Sequence, residues 1–318
     1  MESYIYSSKE GFVGYFQIDN GRCYFYPYDA EPNDYVGNGD WNAYFNLERI
    51  NSLSPNIPYT PTEKEMHGAM SYFLSQNTNR GKIEVLQTKK ITNAGNYFTR
   101  INRGEPGLSD EQIKTSARAD EVRAYDNIIE SLLDIFRTVE PEPGNFNAYG
   151  NRIRELLIIT CTEVEYLWKA ILTAHNVPPL RRNYSTEDYI WCLPVLKLDD
   201  YEVSVPFYPD LGLFSPFKGW KRPDTTASLD WYHAYNSVKH DRGNTKNQAT
   251  LEKLINSIAA IHVLLEAQYG KELFEFRLQH TFRTIFYTEQ RPIWSYSEIS
   301  APTLHFNGPQ WSGQKVHP

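Results

Sequence analysis

The chain is poor in cysteine, with three in 318 residues, at Cys23, Cys161 and Cys192. They lie far apart and are odd in number, which excludes a disulfide scaffold and a zinc ribbon. Long apolar runs are missing as well. The longest, Ile258–Leu265, is interrupted by His262 and falls far short of the ~20 residues a membrane helix needs. The stretch Met1–Phe12 holds Glu2, Lys9 and Glu10 and no apolar run, so it does not read as a signal peptide. The expectation is a cytoplasmic protein with no membrane contact. Positive charge is also short, with 32 Lys and Arg against 39 Asp and Glu and a net charge of −7. That excludes a protein that coats nucleic acid by bulk charge. There is no Gly-x-Gly-x-x-Gly after a strand, no Walker loop, no Gly-x-Ser-x-Gly elbow and no His-Glu-x-x-His. His233 and His240 have no carboxylate cluster beside them, so no metal and no cofactor are expected.

What is present is an apolar fraction of 41% and an aromatic fraction of 14%, Tyr foremost. That balance makes a folded globular chain, and the length suggests about two domains. Residues 1–105 read as a β-containing module. Gly14–Ile18 and Cys23–Pro27 flank Asp19-Asn20-Gly21, the pattern of a hairpin with a tight turn. Lys82–Gln87 reads as another strand. Thr62 and Glu65 form a capping-box pattern before Met66, Met70 and Phe73, which predicts a short helix.

Residues 106–290 read as a helical bundle. Ser109 with Gln112 is a second capping pattern. Val122, Tyr125, Ile129, Leu132, Phe136 and Val139 follow at steps of three and four, one buried face of a helix. A second helix is expected over 146–175, with Ile153, Leu157, Thr160, Val164, Leu167 and Ile171 inward, closed by Pro178-Pro179. After an irregular stretch from Leu180 to about Thr226, a third helix starts near Ser228 and a fourth near Asn247, with Leu251, Leu254, Ile258, Ile261 and Leu265 inward. Four striped helices with a long crossover make a four-helix bundle the economical architecture. The fold class is therefore α+β, mainly α. Residues 291–318 hold Pro, Trp and Tyr without periodicity and read as an extended tail packed on the body.

The third helix and its approach carry the chemistry. Between Phe214 and Lys246 there are six basic and three acidic residues, +3 in a chain whose total is −7. A local basic island is an anion site in outline, and Trp220, Trp231, Tyr232 and Tyr235 interleave with it as stacking surfaces. The same cations also complement a helix C-terminus. Asn236 and His240 lie four apart and His233 seven before His240, so the three share one helical stripe. A histidine near neutral pKa serves as general acid or base. On the second helix, Arg154, Ile158, Cys161, Glu165 and Trp168 lie along a stripe beside the core stripe. Arg154 and Glu165 there are either a bundle ion pair or the facing wall of a cleft.

The run Tyr-Asn-Ser-Val-Lys-His-Asp-Arg, Tyr235–Arg242, on the third helix of such an array, resembles the signature helix of the HEPN superfamily. The resemblance covers roughly 110–270 as an architecture and Tyr235–Arg242 as a motif. It implies an all-α bundle, in many members a metal-independent ribonuclease of toxin or antiviral-defence systems, dimerising so that two signature helices face one cleft. His240 matches the family's catalytic histidine and Asn236 the polar residue that follows its arginine. The arginine's own place, five before His240, is Tyr235. On this resemblance RNA or a nucleotide is the expected partner and a homodimer through the bundle the expected assembly. Lys239 and Arg242 would hold the phosphate, with Tyr235, His233 and Arg154 lining the site and Glu165 tuning a histidine. The alternative is a non-catalytic module that binds a nucleotide, RNA or protein and retains only the fold.

Overall fold

A computed structural model describes residues 1–28, 35–47, 50, 53, 59–104, 116–274, 284–296, 298–313 and 315–318. Ser109 and Gln112 lie outside them. The protein is α+β, and two compact units divide the chain. One comprises Met1–Phe98, Arg103–Gln112 and Trp294–Val316, and the other Thr99–Asn102, Ile113–Ile293 and His317–Pro318.

The first unit is built on a five-stranded antiparallel sheet. Strands β1 (Glu2–Ser8), β2 (Val13–Asp19), β3 (Arg22–Pro27), β4 (Gly37–Asp40) and β5 (Val85–Ile91) run in the order β4-β3-β2-β1-β5. The expected hairpin is β2–β3. Asp19 pairs with Arg22, and Asn20 (φ 48°) and Gly21 (φ 79°) form the two-residue turn. Positive φ at both central positions matches the right-handed twist of the strands, which is why Asn-Gly is favoured there. Helix α1 (Trp41–Phe45) is capped by Asp40, and α2 (Glu63–Asn77) begins with the capping box of Thr62 and Glu65. At fifteen residues α2 is longer than the short helix the sequence suggests.

Alternation sends the sheet's side chains to two cores. Tyr4, Tyr6, Phe16 and Phe25 pack with Trp41, Met70 and Phe73. Ile5 and Tyr15 face the other way, onto Ile299, Ala301 and Leu304. The C-terminal segment Trp294–Val316 is a layer of this unit. Thr303–His305 and Gly308–Gln310 form a hairpin, and Lys315–Val316 runs parallel to β6 (Tyr97–Phe98). The Gln17 amide fixes its register, donating to the Leu304 carbonyl (3.3 Å) and accepting from the Leu304 N–H (2.9 Å).

Among the described residues the second unit holds four helices of eleven residues or more: α3 (Ser116–Phe136), α4 (Asn151–Ala174), then after short α5 (Thr186–Tyr189) and α6 (Cys192–Leu196), α7 (Asp230–His240), short α8 (Arg242–Thr245) and α9 (Leu251–Tyr269). The predicted α3 stripe is buried from Val122 to Phe136, while Val139 lies beyond the helix end. Every residue of the predicted α4 stripe is buried. Helix α9 packs on α3, α4 and α7, and α4 on α3 and α7. All but three of α9's residues are buried, so it is enclosed and not one-faced. Part of the extra cover comes from Leu198–Asp200, in the stretch expected to be irregular, and from Thr288, bonded to His262 and Glu266. The same stretch contributes β7 (Glu202–Ser204) and β8 (Leu213–Phe214), which with β9 (Tyr287–Gln290) form a sheet in the order β8-β7-β9. At each fully buried α9 leucine, such as Leu254, burial contributes roughly 1.5–3 kcal/mol. No described helix is long and apolar enough to cross a membrane.

Candidate functional site

Helix α7 has two unlike faces. Trp231, Tyr232, Ala234, Tyr235 and Val238 are buried, whereas His233, Lys239 and His240 are exposed and Asn236 is half-buried. The buried face lies on the second stripe of α4, and the two helices run antiparallel. Near the start of α7, Trp231 meets Trp168, with ring centroids 6.3 Å apart. One turn of α4 back, the Tyr232 hydroxyl donates to Glu165 Oε1 at 2.6 Å. Trp168 anchors the contact, stacked between Tyr189 and Trp220 with centroids 5.2 and 4.9 Å away.

Tyr235 is 1% exposed and packs against Tyr232 at 5.3 Å. Its ring is therefore part of the α4–α7 contact, and a base cannot stack on it as the sequence reading would have it. Its oxygen accepts a hydrogen bond from Lys239 Nζ at 2.7 Å, and the ammonium lies 4.8 Å from the ring centroid. Burial pushes the Tyr235 phenol up, a rise partly offset by the lysine's hydrogen bond. The same bond raises Lys239, which stays a firm cation. Burial and the Glu165 carboxylate hold Tyr232 protonated, and burial takes the Cys161 thiol well above its usual range, which makes it unreactive.

Glu165 thus serves a tyrosine and not a histidine. Arg154 is 7% exposed, donates to Asn151 Oδ1 at 3.0 Å and lies 3.9 Å from Glu155. Eleven residues of helix, roughly 16 Å, separate Arg154 from Glu165, so they do not converge on one phosphate. The Asn236 amide donates to the Tyr232 carbonyl of its own helix at 3.2 Å. It does not hold an imidazole. Among the described residues, neither His233 nor His240 has a side-chain hydrogen bond, and both rings stand in solvent.

What the structure does bring together is charge. Lys239, Arg242 and Lys246 are all exposed within eight residues at the α7–α8 corner, and among the described residues none has a carboxylate within 4.0 Å. Two other cations of this unit are paired, Lys253 with Asp230 at 3.3 Å and Lys218 with Glu202 at 3.4 Å. Lys169, Arg182, Lys221 and Arg222 are exposed without a carboxylate within 4.0 Å among the described residues, but do not cluster in sequence with the corner. Asp241, the one acid in the corner, is used as the α8 N-cap, accepting from Asn244. Among the described residues, no three His, Cys, Asp or Glu side chains converge to hold a metal ion.

No family model, curated protein or solved structure matches this chain.

Two buried polar networks escape a motif scan. Glu121 accepts from Arg100 Nη2 (2.6 Å) and from the Tyr269 hydroxyl (2.5 Å), and burial together with Glu121 lifts the Glu163 carboxyl to about 7. His262, Thr288, Glu266 and Arg291 form the other. Only the polar breaks in α9's apolar run, His262 and Glu266, signal it in the sequence.

Proposed function

We propose that the chain is a HEPN-like, RNA-directed protein whose helical unit binds a ribose-phosphate backbone at the α7–α8 corner without chemistry of its own in the single chain. The carrying observation is the exposed set Lys239, Arg242 and Lys246, left without carboxylate partners beside the solvent-facing row His233, Asn236 and His240. Unpaired surface cations gain most when they displace condensed counterions from a polyanion. The buried Tyr235 in the arginine's place and the unsupported His240 argue for recognition, since a general base needs a group that fixes its tautomer and direction. The test is binding of a labelled single-stranded RNA by the wild type and by a Lys239→Ala/Arg242→Ala/Lys246→Ala variant. Equal affinity of the two overturns the reading.

A second reading, a metal-independent ribonuclease, is favoured by the exposure of His233 and His240 on one face, with half-buried Asn236 between them, where the same row of a second copy can meet it. His240 would then take the 2′-hydroxyl proton as that oxygen attacks the adjacent phosphorus, the P–O5′ bond would break to leave a 2′,3′-cyclic phosphate, the departing 5′-oxygen would take its proton from water, and Arg242 would hold the phosphate. DNA, lacking the 2′-hydroxyl, would be bound and not cut. Incubation with end-labelled RNA in EDTA, beside His240→Ala, separates the readings. Cleavage by the wild type alone makes it an enzyme, and binding without cleavage leaves the recognition module.

A further inference from the structure

We propose that Tyr235 is a positioning residue that holds the Lys239 ammonium at the α7–α8 corner as a preset phosphate-binding cation. This rests on the RNA-directed reading above. A free lysine side chain samples many rotamers and loses that freedom when a ligand fixes it. Lys239 is already fixed at its far end. Its Nζ donates to Tyr235 Oη at 2.7 Å and sits 4.8 Å from the centroid of the same ring, so a hydrogen bond and a cation–π contact act together.

The holder is itself immobile. Tyr235 is 1% exposed, packed on Tyr232, whose hydroxyl is tied to Glu165 on α4. Glu165 raises Lys239's basicity after the Tyr235 bond but does not pair with it, lying beyond 4.0 Å of the ammonium. The lysine keeps two of its three donors for a ligand, and its side chain remains exposed. It also reaches back one helical turn to residue 235 and not forward to the last carbonyls of α7, so helix-end capping does not explain its pose. The geometry that denies Tyr235 a role as a stacking surface is the geometry that orders a cation where the motif has lost one.

The experiment measures affinity for a single-stranded RNA across a salt series, using the full chain as wild type, Tyr235→Phe, Lys239→Ala, the double variant and Arg242→Ala/Lys246→Ala. Phenylalanine keeps the ring and its cation–π contact and removes the hydroxyl that accepts from Lys239. Lys239→Ala should lower affinity about five-fold at 0.1 M salt and the magnitude of the log–log salt slope by about 0.7, one phosphate contact. Tyr235→Phe should weaken binding two- to five-fold with the slope unchanged, since the charge stays and only its order is lost. In the double variant Tyr235→Phe should add nothing, because the residue it positions is gone. Side-chain ammonium NMR should show a restrained Lys239 in the wild type and a mobile one in Tyr235→Phe. If Tyr235→Phe binds like wild type, or still weakens binding when Lys239 is alanine, the inference is overturned. If only Arg242→Ala/Lys246→Ala loses affinity, the inference fails and the RNA-directed reading stands. If the wild type binds no RNA, both fall.

Discussion

Acid should destabilise the second unit through His262, and the size of the effect follows from its surroundings. The ring is 1% exposed, with Phe274 stacked on it at 4.3 Å. Thr288 Oγ1 donates to Glu266 Oε2 at 2.7 Å, so its oxygen is left to accept from His262 Nε2 at 3.0 Å. Nδ1, 3.3 Å from both the Tyr125 and Thr284 hydroxyls, is then the acceptor, and the imidazole is neutral with its proton on Nε2. Glu266 is 3.8 Å from Nε2, but its charge is already taken by Arg291, at 2.7 and 3.2 Å. Burial first, and Arg291 second, lower His262 from 6.5 to about 3. A depressed histidine pKa means that the folded state resists the proton the unfolded state accepts. Its full stability is present above pH 6.5 and is lost as the pH falls toward 3. Linkage gives a loss of about 2 kcal/mol between pH 7 and pH 5, which for a unit of this size is roughly 4–8 °C in Tm. The assay is thermal unfolding at both pH values for wild type and His262→Gln, compared as the pH-dependent difference and not as absolute Tm. The glutamine variant should lose the His262 share of that difference. An identical pH dependence in the two proteins, or a His262 NMR signal that titrates near pH 6.5 in the folded state, would refute the reasoning.

Glu121→Ala should cost about 3–5 kcal/mol of unfolding free energy in urea, because Arg100, only 13% exposed, is left as a buried unpaired cation. Gly39→Ala should destabilise the first unit by about 1–3 kcal/mol, since a Cβ there would lie 2.3 Å from the buried Phe73 ring, and unchanged melting would show that β4 shifts freely.

Much of this architecture is written in local signals. The Asn20-Gly21 turn, the Thr62–Glu65 box and the α3 and α4 stripes each depend on residues within a few positions of one another, and each stands where the pattern puts it. Several of the misses share a cause. β7, β8 and the strands of the C-terminal segment are two to three residues long, too short to show a period, and they exist because distant segments pair with them. The placement of Trp294–Val316 in the first unit depends on a partner such as Gln17, 287 residues away from Leu304. At the site, spacing correctly groups His233, Asn236 and His240 on one face of α7 but does not say which face is inward. The buried aromatics decide that, and they put Tyr235 inside with Lys239 tied above it. Arg154 and Glu165 share a stripe, yet each finds its partner nearby on its own terms, in Asn151 and in Tyr232.

The proposed binding of RNA at the α7–α8 corner through Lys239, Arg242 and Lys246 is tested by the salt dependence of affinity for a labelled single-stranded RNA. Three phosphate contacts at ~0.7 each predict that the wild-type slope of log K against log salt exceeds that of the triple alanine variant by about 2. A wild-type slope equal to the variant's, or RNA binding that ignores all three substitutions, would contradict the account.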